Sequence, residues 1–161
     1  MTGGVLVAGV GNMFLHDDGF GPEVARHLAA GPQLGPGVRV VDYGIRGMHL
    51  AYDLLAGVDT LVLVDTVPGD GGSAPGSIRV LQVSQADLDA RAALDPHGMD
   101  PAAVLGRLRS MGGILPATYV VGCVPEDLSE GIGLSARVAA AVPEAVAAVG
   151  SLLGQHSSTP S

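Results

Sequence analysis

The pattern that most constrains the fold is an alternation of short apolar runs with amphipathic helical stretches along most of the 161-residue chain. Runs rich in β-branched residues predict strands, and strands that alternate with helices are typical of an α/β domain with a mainly parallel sheet. Val62-Leu63-Val64 and Val120-Val121 predict central strands buried on both faces. The expected strands are Val5–Val10, Val38–Tyr43, Thr60–Asp65, Ser77–Val83 and Thr118–Cys123.

Four helical patterns lie between and after these strands. In the first of them, Phe20, Val24 and Leu28 recur every four residues and therefore share one face of a helix. Pro143 lies inside the last pattern, where its missing N–H predicts a kink or a later start of the helix. The expected helices are about Phe20–Ala30, Met48–Leu55, Asp100–Met111 and Ser135–Leu153.

Length and charge limit the organisation of the chain and its partners. We expect a single α/β domain over residues 1–154, which is long enough to bury a core, and a disordered tail over 155–161. A net charge of -8 with scattered basic residues argues against a nucleic-acid partner. The N-terminus lacks the pattern of a secretory signal, and no uninterrupted apolar stretch reaches membrane-spanning length. We therefore expect a soluble cytoplasmic protein without a membrane partner.

The segment Gly9–Gly21 lies between the first strand and the first helix. A glycine-rich turn at this place usually indicates a nucleotide site, but here the third glycine of that fingerprint is missing and the helix begins late. The chain passes first through Asn12 and the paired acids Asp17 and Asp18. A loop that brings carboxylates to the end of a central strand fits a metal or acid/base centre better. Asp17 is expected to be structural, with its carboxylate accepting backbone N–H groups of the loop.

Three polar residues fall at the carboxyl ends of strands, where ligands bind in open α/β sheets. Asp18 follows the first strand, Asp65 closes the third strand, and His97 precedes the third helix. Two carboxylates and one imidazole can form a three-ligand metal site with open positions for water or substrate. Such a site suits nickel or zinc and accepts other borderline divalent cations.

Each of these residues also has a purely structural explanation. Asp18 could order a turn or cap the first helix, and His97 could be a solvated residue at a helix N-terminus. Asp65 has the stronger case for a function, because a carboxylate beside four apolar residues is costly to bury without a partner. Arg46, flanked by glycines, could bind a carboxylate or carbonyl of a substrate, or be a surface charge. Asp42 would hold a ribose hydroxyl if the fold bound a dinucleotide.

In their order and spacing, the motifs resemble those of the hydrogenase maturation endopeptidases. These enzymes remove the C-terminal extension of the nickel–iron hydrogenase large-subunit precursor. The likeness spans Val5 to about Val149. It is carried by Gly-x-Gly-Asn-x-x-x-x-Asp-(Asp/Glu)-x-x-Gly after the first strand, Asp42–Met48, Leu63-Val64-Asp65, Ala74-Pro75-Gly76, Pro96-His97, Pro125-Glu126 with Leu128, and Gly131–Ser135.

The resemblance implies a three-layer sandwich, in which a five-stranded, mainly parallel, twisted sheet has helices on both faces. It implies that Asp18, Asp65 and His97 are the nickel ligands and catalytic residues, and that the nickel is carried by the precursor. Well-known members carry Asp-Gly-Gly-Thr where this chain has Asp42-Tyr43-Gly44-Ile45. We expect this loop, with Asp42, Gly44 and Arg46, to recognise the precursor.

These features together predict an aspartyl or metal-dependent endopeptidase. The metal could polarise the scissile carbonyl or activate a water molecule, or an aspartate could act as general base while nickel serves only for recognition. Cys123 is interpreted as a small buried side chain, because it has no recognisable histidine partner, and no Gly-x-Ser-x-Gly elbow is present. The alternatives are a non-catalytic nickel-binding maturation factor and, more weakly, a dinucleotide-binding domain.

Overall fold

A computed structural model of the chain describes residues 4–69, 71–87, 105, 108 and 111–157. All five expected strands are present, and every strand boundary lies within one residue of its predicted position. This agreement follows from the apolar, β-branched character of the runs, which is a local signal. The strands are β1 (Val5–Val10), β2 (Val38–Gly44), β3 (Thr60–Thr66), β4 (Ile78–Val83) and β5 (Ala117–Cys123).

The strands form one sheet with the order β2-β1-β3-β5-β4. β1 pairs in parallel with β2 and β3, and β3 pairs in parallel with β5, whereas β4 runs antiparallel to β5 at the edge. The sheet is therefore mainly parallel, as predicted. Because β1 and β3 are adjacent, parallel central strands, the residues that follow them are neighbours at the carboxyl end of the sheet.

Three helices have defined bounds in the described residues: α1 (Phe20–Ala30), α2 (Gly47–Leu55) and α3 (Ala136–Ser157). The expected helix at Asp100–Met111 falls largely outside the described residues. α3 begins at Ala136, one residue from the expected start, so of the two alternatives raised by Pro143, a kink or a later start, the later start is wrong. The proline lies on an exposed face of the helix, where water can solvate the carbonyl that it leaves unpaired. α3 continues to Ser157 and so includes three residues of the segment predicted as a tail.

Two apolar layers cover the two faces of the sheet, and alternate residues of the central strands enter one or the other. Leu61 and Leu63 face the layer that contains α2, while Val62 and Val64 face the layer that contains α1 and α3. This alternation confirms that β3 is buried on both sides and gives the expected three-layer arrangement. Buried members of the α1–α3 layer include Phe20, Val24, Leu28, Val138, Val142 and Val149.

α3 has the length and apolar composition of a possible membrane span, with a mean hydropathy of 1.5 over Ala136–Gly154. It is the one helix of this kind among the described residues. Arg137 and Glu144 interrupt its apolar sequence, and its Val138, Ala145 and Val149 are fully buried against the sheet. The hydropathy of α3 is thus accounted for by its position in the core of the domain.

Glycines let α1 approach the strands closely enough to reach their carboxyl ends. A Cβ atom on Gly21 would collide with the carbonyl oxygens of Val10 and Val64, the last apolar residues of β1 and β3. A Cβ on Gly9 would collide with the carbonyl oxygen of Gly21. The first turn of α1 therefore lies directly over the ends of the two central strands, and the loop before it lies at the same edge.

Candidate functional site

The loop between β1 and α1 places Asp18 at the carboxyl end of β3. Asp18 lies in a short 3-10 turn, His16–Gly19, and its carboxylate is half-buried. Its Oδ2 accepts a hydrogen bond from the backbone N–H of Asn12 at 2.8 Å, and its Oδ1 accepts one from the hydroxyl of Thr66 at 3.2 Å. The carboxylate therefore does order the turn, but it does not cap α1, whose N-cap is Gly19 without a side-chain hydrogen bond.

Thr66 brings the second predicted carboxylate to the same place. Its backbone N–H donates to Oδ1 of Asp65 at 2.7 Å, while its hydroxyl donates to Asp18. One residue thus contacts both acids, which are 47 positions apart in the sequence (65 minus 18). The sequence motifs alone do not single out Thr66. The sequence signal for Thr66 is its position directly after Asp65, at the carboxyl end of β3, where a hydroxyl can contact a ligand or a neighbouring acid.

His97 lies outside the described residues, so its place in the site stays a prediction. Among the residues that the structure describes, no three His, Cys, Asp or Glu side chains are grouped as metal ligands. The described site therefore consists of two carboxylates. Each carboxylate oxygen has two lone pairs, and Asp18 uses one on each of its oxygens for the bonds above. Lone pairs of the carboxylate oxygens therefore remain to bind a cation or to accept a hydrogen bond from a water molecule.

Asp17 is structural, as predicted, but its partners are not those that were expected. Its buried carboxylate accepts hydrogen bonds from the backbone N–H groups of Glu126, Asp127 and Ser135 at 2.7–2.9 Å, and from the Ser135 hydroxyl at 2.9 Å. These donors lie 109–118 residues away, after β5, and not in the loop of Asp17 itself. Burial alone would raise the pKa of Asp17, but the bonds from Ser135, Asp127 and Glu126 hold it below its ordinary value.

Further contacts join this loop to the segment 126–135, which we call the brace. Leu15 and Gly131 form a parallel bridge, in which the N–H of His16 donates to the carbonyl of Gly131 at 2.9 Å. The His16 ring lies 2.9 Å from the Gly133 carbonyl through Nδ1, and it occupies the space that a Cβ on Gly131 would need. In the sequence this segment is recognisable only as a motif. The structure shows that it holds the loop that carries Asp18.

The three residues predicted to bind substrate lie along one groove of about 260 Å³ at the same edge of the sheet. Asp42, Gly44 and Arg46 line this groove together with Asn12 and Phe14. The Gly44 carbonyl accepts the N–H of Gly11 at 2.9 Å, which ties the end of β2 to the loop after β1. The groove adjoins Asp18 through Asn12, which lines it and whose backbone N–H donates to the Asp18 carboxylate.

Arg46 is exposed and binds carbonyl oxygens of its own chain. Its guanidinium donates to the carbonyl of Tyr43 at 3.0 Å and to that of Asp42 at 2.5 Å. These bonds close the turn between β2 and α2. The Arg46 side chain therefore stabilises this turn beside the groove, although it is exposed. Three exposed apolar side chains line the groove: Met13, Phe14 and Ile45.

Tyr43, which stands where well-known members of the resembled family carry glycine, occupies a bulge in the sheet. The pairing of β1 with β2 shifts between Gly9 and Val10, so that Gly9 faces Asp42 and Val10 faces Gly44. Tyr43 is the extra residue of this bulge, and its ring is buried in the α2 layer. Its hydroxyl donates to the carboxylate of Asp53 at 2.5 Å. Burial, and then Asp53, raise the pKa of Tyr43 above its usual range.

This fold and these motifs are those of known processing enzymes. The family model of hydrogenase maturation proteases matches residues 22–151, which is most of the chain. The chain belongs to the hydrogenase maturation protease family. The resemblance in sequence, the mainly parallel five-stranded sheet and the endopeptidase class are thereby confirmed, and the chain is a hydrolase.

Individual members of the family are similar over nearly their whole length. The chain is 32% identical to the hydrogenase 2 maturation protease of Escherichia coli over 142 residues, which cover 88% of this chain and 85% of the relative. Its structure is similar to that of the hydrogenase maturating endopeptidase HybD from Escherichia coli, with a TM-score of 0.80, 30% identity and coverage of 95% and 93%. A hydrogenase 2 maturation peptidase from a Thaumarchaeota archaeon gives a TM-score of 0.71 at 31% identity, with coverage of 94% and 98%.

Cys123 cannot supply the nucleophile of this peptidase. It is fully buried at the end of β5, and burial raises the pKa of its thiol to about 11, with further contributions from the negative charges of Asp17 and Glu144. A thiol with such a pKa is protonated near neutral pH and is a poor nucleophile. The interpretation of Cys123 as a small core side chain is confirmed, and the candidate chemistry rests on the two aspartates.

Proposed function

We propose that this protease removes the C-terminal extension of a nickel–iron hydrogenase large-subunit precursor after nickel has been inserted. The observation that carries the proposal is the pair Asp18 and Asp65, both of which Thr66 contacts, beside a groove lined by Asn12, whose backbone N–H donates to Asp18. The family membership of the chain supports hydrolysis of a peptide bond during hydrogenase maturation. We place this reaction in the cytoplasm.

In this proposal, the nickel is part of the substrate. Asp18 and Asp65 approach it with carboxylate oxygens, and His97 supplies an imidazole as the third ligand. Borderline cations such as nickel and zinc accept this mixture of oxygen and nitrogen ligands. Zinc and other divalent ions can therefore occupy the site when no nickel is present. The groove wall formed by Asp42, Gly44 and Arg46 receives the chain of the precursor next to its metal centre.

The chemistry requires a water molecule, a base and a polarised carbonyl. A carboxylate of the pair takes a proton from water, whose oxygen forms a bond to the scissile carbonyl carbon. The C–N bond then breaks, and the proton passes to the leaving nitrogen, so that a carboxylate and an amine are formed. Nickel of the substrate polarises the carbonyl or serves only as the feature that is recognised, as the sequence had left open.

The test is cleavage of purified precursor with and without nickel, followed by mass spectrometry of the precursor. We expect truncation only with nickel, and a loss of rate of about 10²–10⁴-fold for Asp65→Asn, the range for a general base. Asp59→Asn is the matched control, because Asp59 is an exposed acid beside the other end of β3. Truncation without nickel, or equal rates for the two variants, contradicts the proposal. A precursor of unchanged length favours the non-catalytic maturation factor.

A further inference from the structure

Asn12 has a side-chain amide of which only the oxygen is used. Its Oδ1 accepts the backbone N–H of Phe14 at 2.9 Å. Because a backbone N–H can only donate, this bond identifies the oxygen of the amide, and the other atom is the NH₂ group. Within the part of the chain that the structure describes, this NH₂ group donates to no protein acceptor. Asn12 is half-buried, so two oriented donors are available to a ligand.

The position of this amide is next to the candidate catalytic acids. The backbone N–H of Asn12 donates to Oδ2 of Asp18 at 2.8 Å, and the residue lines the same groove as Asp42, Gly44 and Arg46. Asp18 and Asp65 carry negative charge that would repel a developing oxyanion. The guanidinium of Arg46 already donates to two carbonyl oxygens of its own chain. The hydroxyl hydrogen of Thr66 is already donated to Asp18, whereas the amide hydrogens of Asn12, a residue bonded to Asp18 through its backbone N–H, are used by no described acceptor.

We propose that the Asn12 amide donates to the carbonyl oxygen of the scissile peptide bond and stabilises its negative charge in the tetrahedral intermediate. This inference rests on the proposed function. When water oxygen bonds to the carbonyl carbon, the π pair moves to the carbonyl oxygen, and the water proton goes to a carboxylate of the pair. The electron pair on oxygen re-forms the C=O bond as the C–N bond breaks, and the pair of the C–N bond leaves with the nitrogen, which takes the proton from the carboxyl group. A donor that is already oriented lowers this barrier without reorganisation.

The structural and catalytic roles of Asn12 use different atoms, so they can be separated by mutation. The turn needs only an acceptor for the N–H of Phe14, and a serine hydroxyl can supply one at this position. Asn12→Ser therefore retains the turn and removes the NH₂ donors. Gln82→Ser removes an amide from the exposed edge strand β4 and is the matched control.

The experiment measures kcat and KM for cleavage of nickel-loaded precursor, with the melting temperature of each variant. For Asn12→Ser we expect kcat to fall by about 10²–10³-fold, as for the loss of one oxyanion donor, with KM within about twofold of the wild-type value. Gln82→Ser should retain the wild-type kcat. A kcat of Asn12→Ser within threefold of wild type, or a rise in KM alone, overturns the role of Asn12.

Two controls keep the result interpretable. If Asn12→Ser does not fold, Asn12→Asp replaces it, because its carboxylate retains the acceptor for the Phe14 N–H and lacks both donors. The same fall in kcat supports the inference, and an unchanged kcat overturns it. If the wild-type enzyme cleaves the precursor while the variants are unaffected, only the role of Asn12 fails. If the wild-type enzyme does not cleave nickel-loaded precursor, the proposed function fails as well.

Discussion

At the scale of single residues, the site depends on groups that hold the two acids in place. Thr66 donates to both, through its backbone N–H to Asp65 and through its hydroxyl to Asp18. The backbone bond is independent of the side chain, but the bond to Asp18 is not. Removal of a side chain that orients a ligand or base in this way typically lowers affinity or activity by about 10–100-fold.

Replacement of the Thr66 hydroxyl should therefore impair catalysis more than folding. Thr66→Val is close to isosteric and removes the donor to Asp18, so we expect kcat/KM for nickel-loaded precursor to fall by about 10–100-fold. Thr66→Ser retains the hydroxyl and should remain within about threefold of wild type. The two variants are compared in the precursor cleavage assay after their folding is checked by circular dichroism. Equal activity of the two would show that the hydroxyl does not position Asp18.

At the scale of elements, the loop after β1 and the brace at 126–135 form one unit through Asp17. The buried carboxylate satisfies three backbone N–H groups and one hydroxyl that would otherwise lack partners. Hydrogen bonds to a charged group contribute about 1.5–3 kcal/mol each, and an unsatisfied buried donor costs about as much. The loop with Asp18 is thus held by a polar contact between two connections that are far apart in sequence.

Loss of this carboxylate should destabilise the protein in a manner that depends on pH. We expect Asp17→Asn to lower the free energy of unfolding by about 2–3 kcal/mol at pH 7, measured by urea denaturation. The pKa of Asp17 in the folded state is lower than its ordinary value of 3.8, so this contribution is fully present above that value. It is lost as pH falls through the lower folded-state pKa. The exposed Asp59→Asn is the control, and a pH-independent difference between wild type and Asp17→Asn would contradict the assignment.

At the scale of the whole molecule, the central strands are covered on both faces, and Cys123 reports on that core. Its side chain is fully buried among residues of the layer that contains α1 and α3. The thiol is also held protonated by burial, with a pKa of about 11. Cys123 is the last residue of β5 and is fully buried. Access of a reagent to its sulfur therefore requires the packed layers to open.

Alkylation of Cys123 should consequently follow unfolding of the domain. We expect labelling of the native protein at pH 8 to be at least about 10³-fold slower than in urea, because the unfolded fraction of a domain stable by 5 kcal/mol is below 10⁻³. The measurement is mass spectrometry of the labelled protein over time. The urea sample should gain one label, in keeping with the single cysteine. A native protein that is labelled at the unfolded rate would contradict the packing of β5 beneath α3.

Local patterns were sufficient to predict the elements and the sheet. Apolar β-branched runs predicted the five strands to within one residue, and the spacing of Phe20, Val24 and Leu28 predicted α1 with its observed bounds. The helical pattern also predicted the start of α3 to within one residue, and the alternative of a later start at Pro143 is excluded, because a proline on the exposed face of a helix is tolerated. The acids of the candidate site were predicted because residues at the carboxyl ends of parallel strands are neighbours.

The sequence by itself determined the order of strands and helices, the glycines over the strand ends and the two acids that follow β1 and end β3. The tertiary structure decided which groups contact those acids: Thr66 for Asp18 and Asp65, and the brace for Asp17. The physical reason is distance along the chain. The Asp18–Thr66 bond spans 48 residues and the Asp17–Ser135 bond spans 118, and no local propensity specifies a partner at such separation.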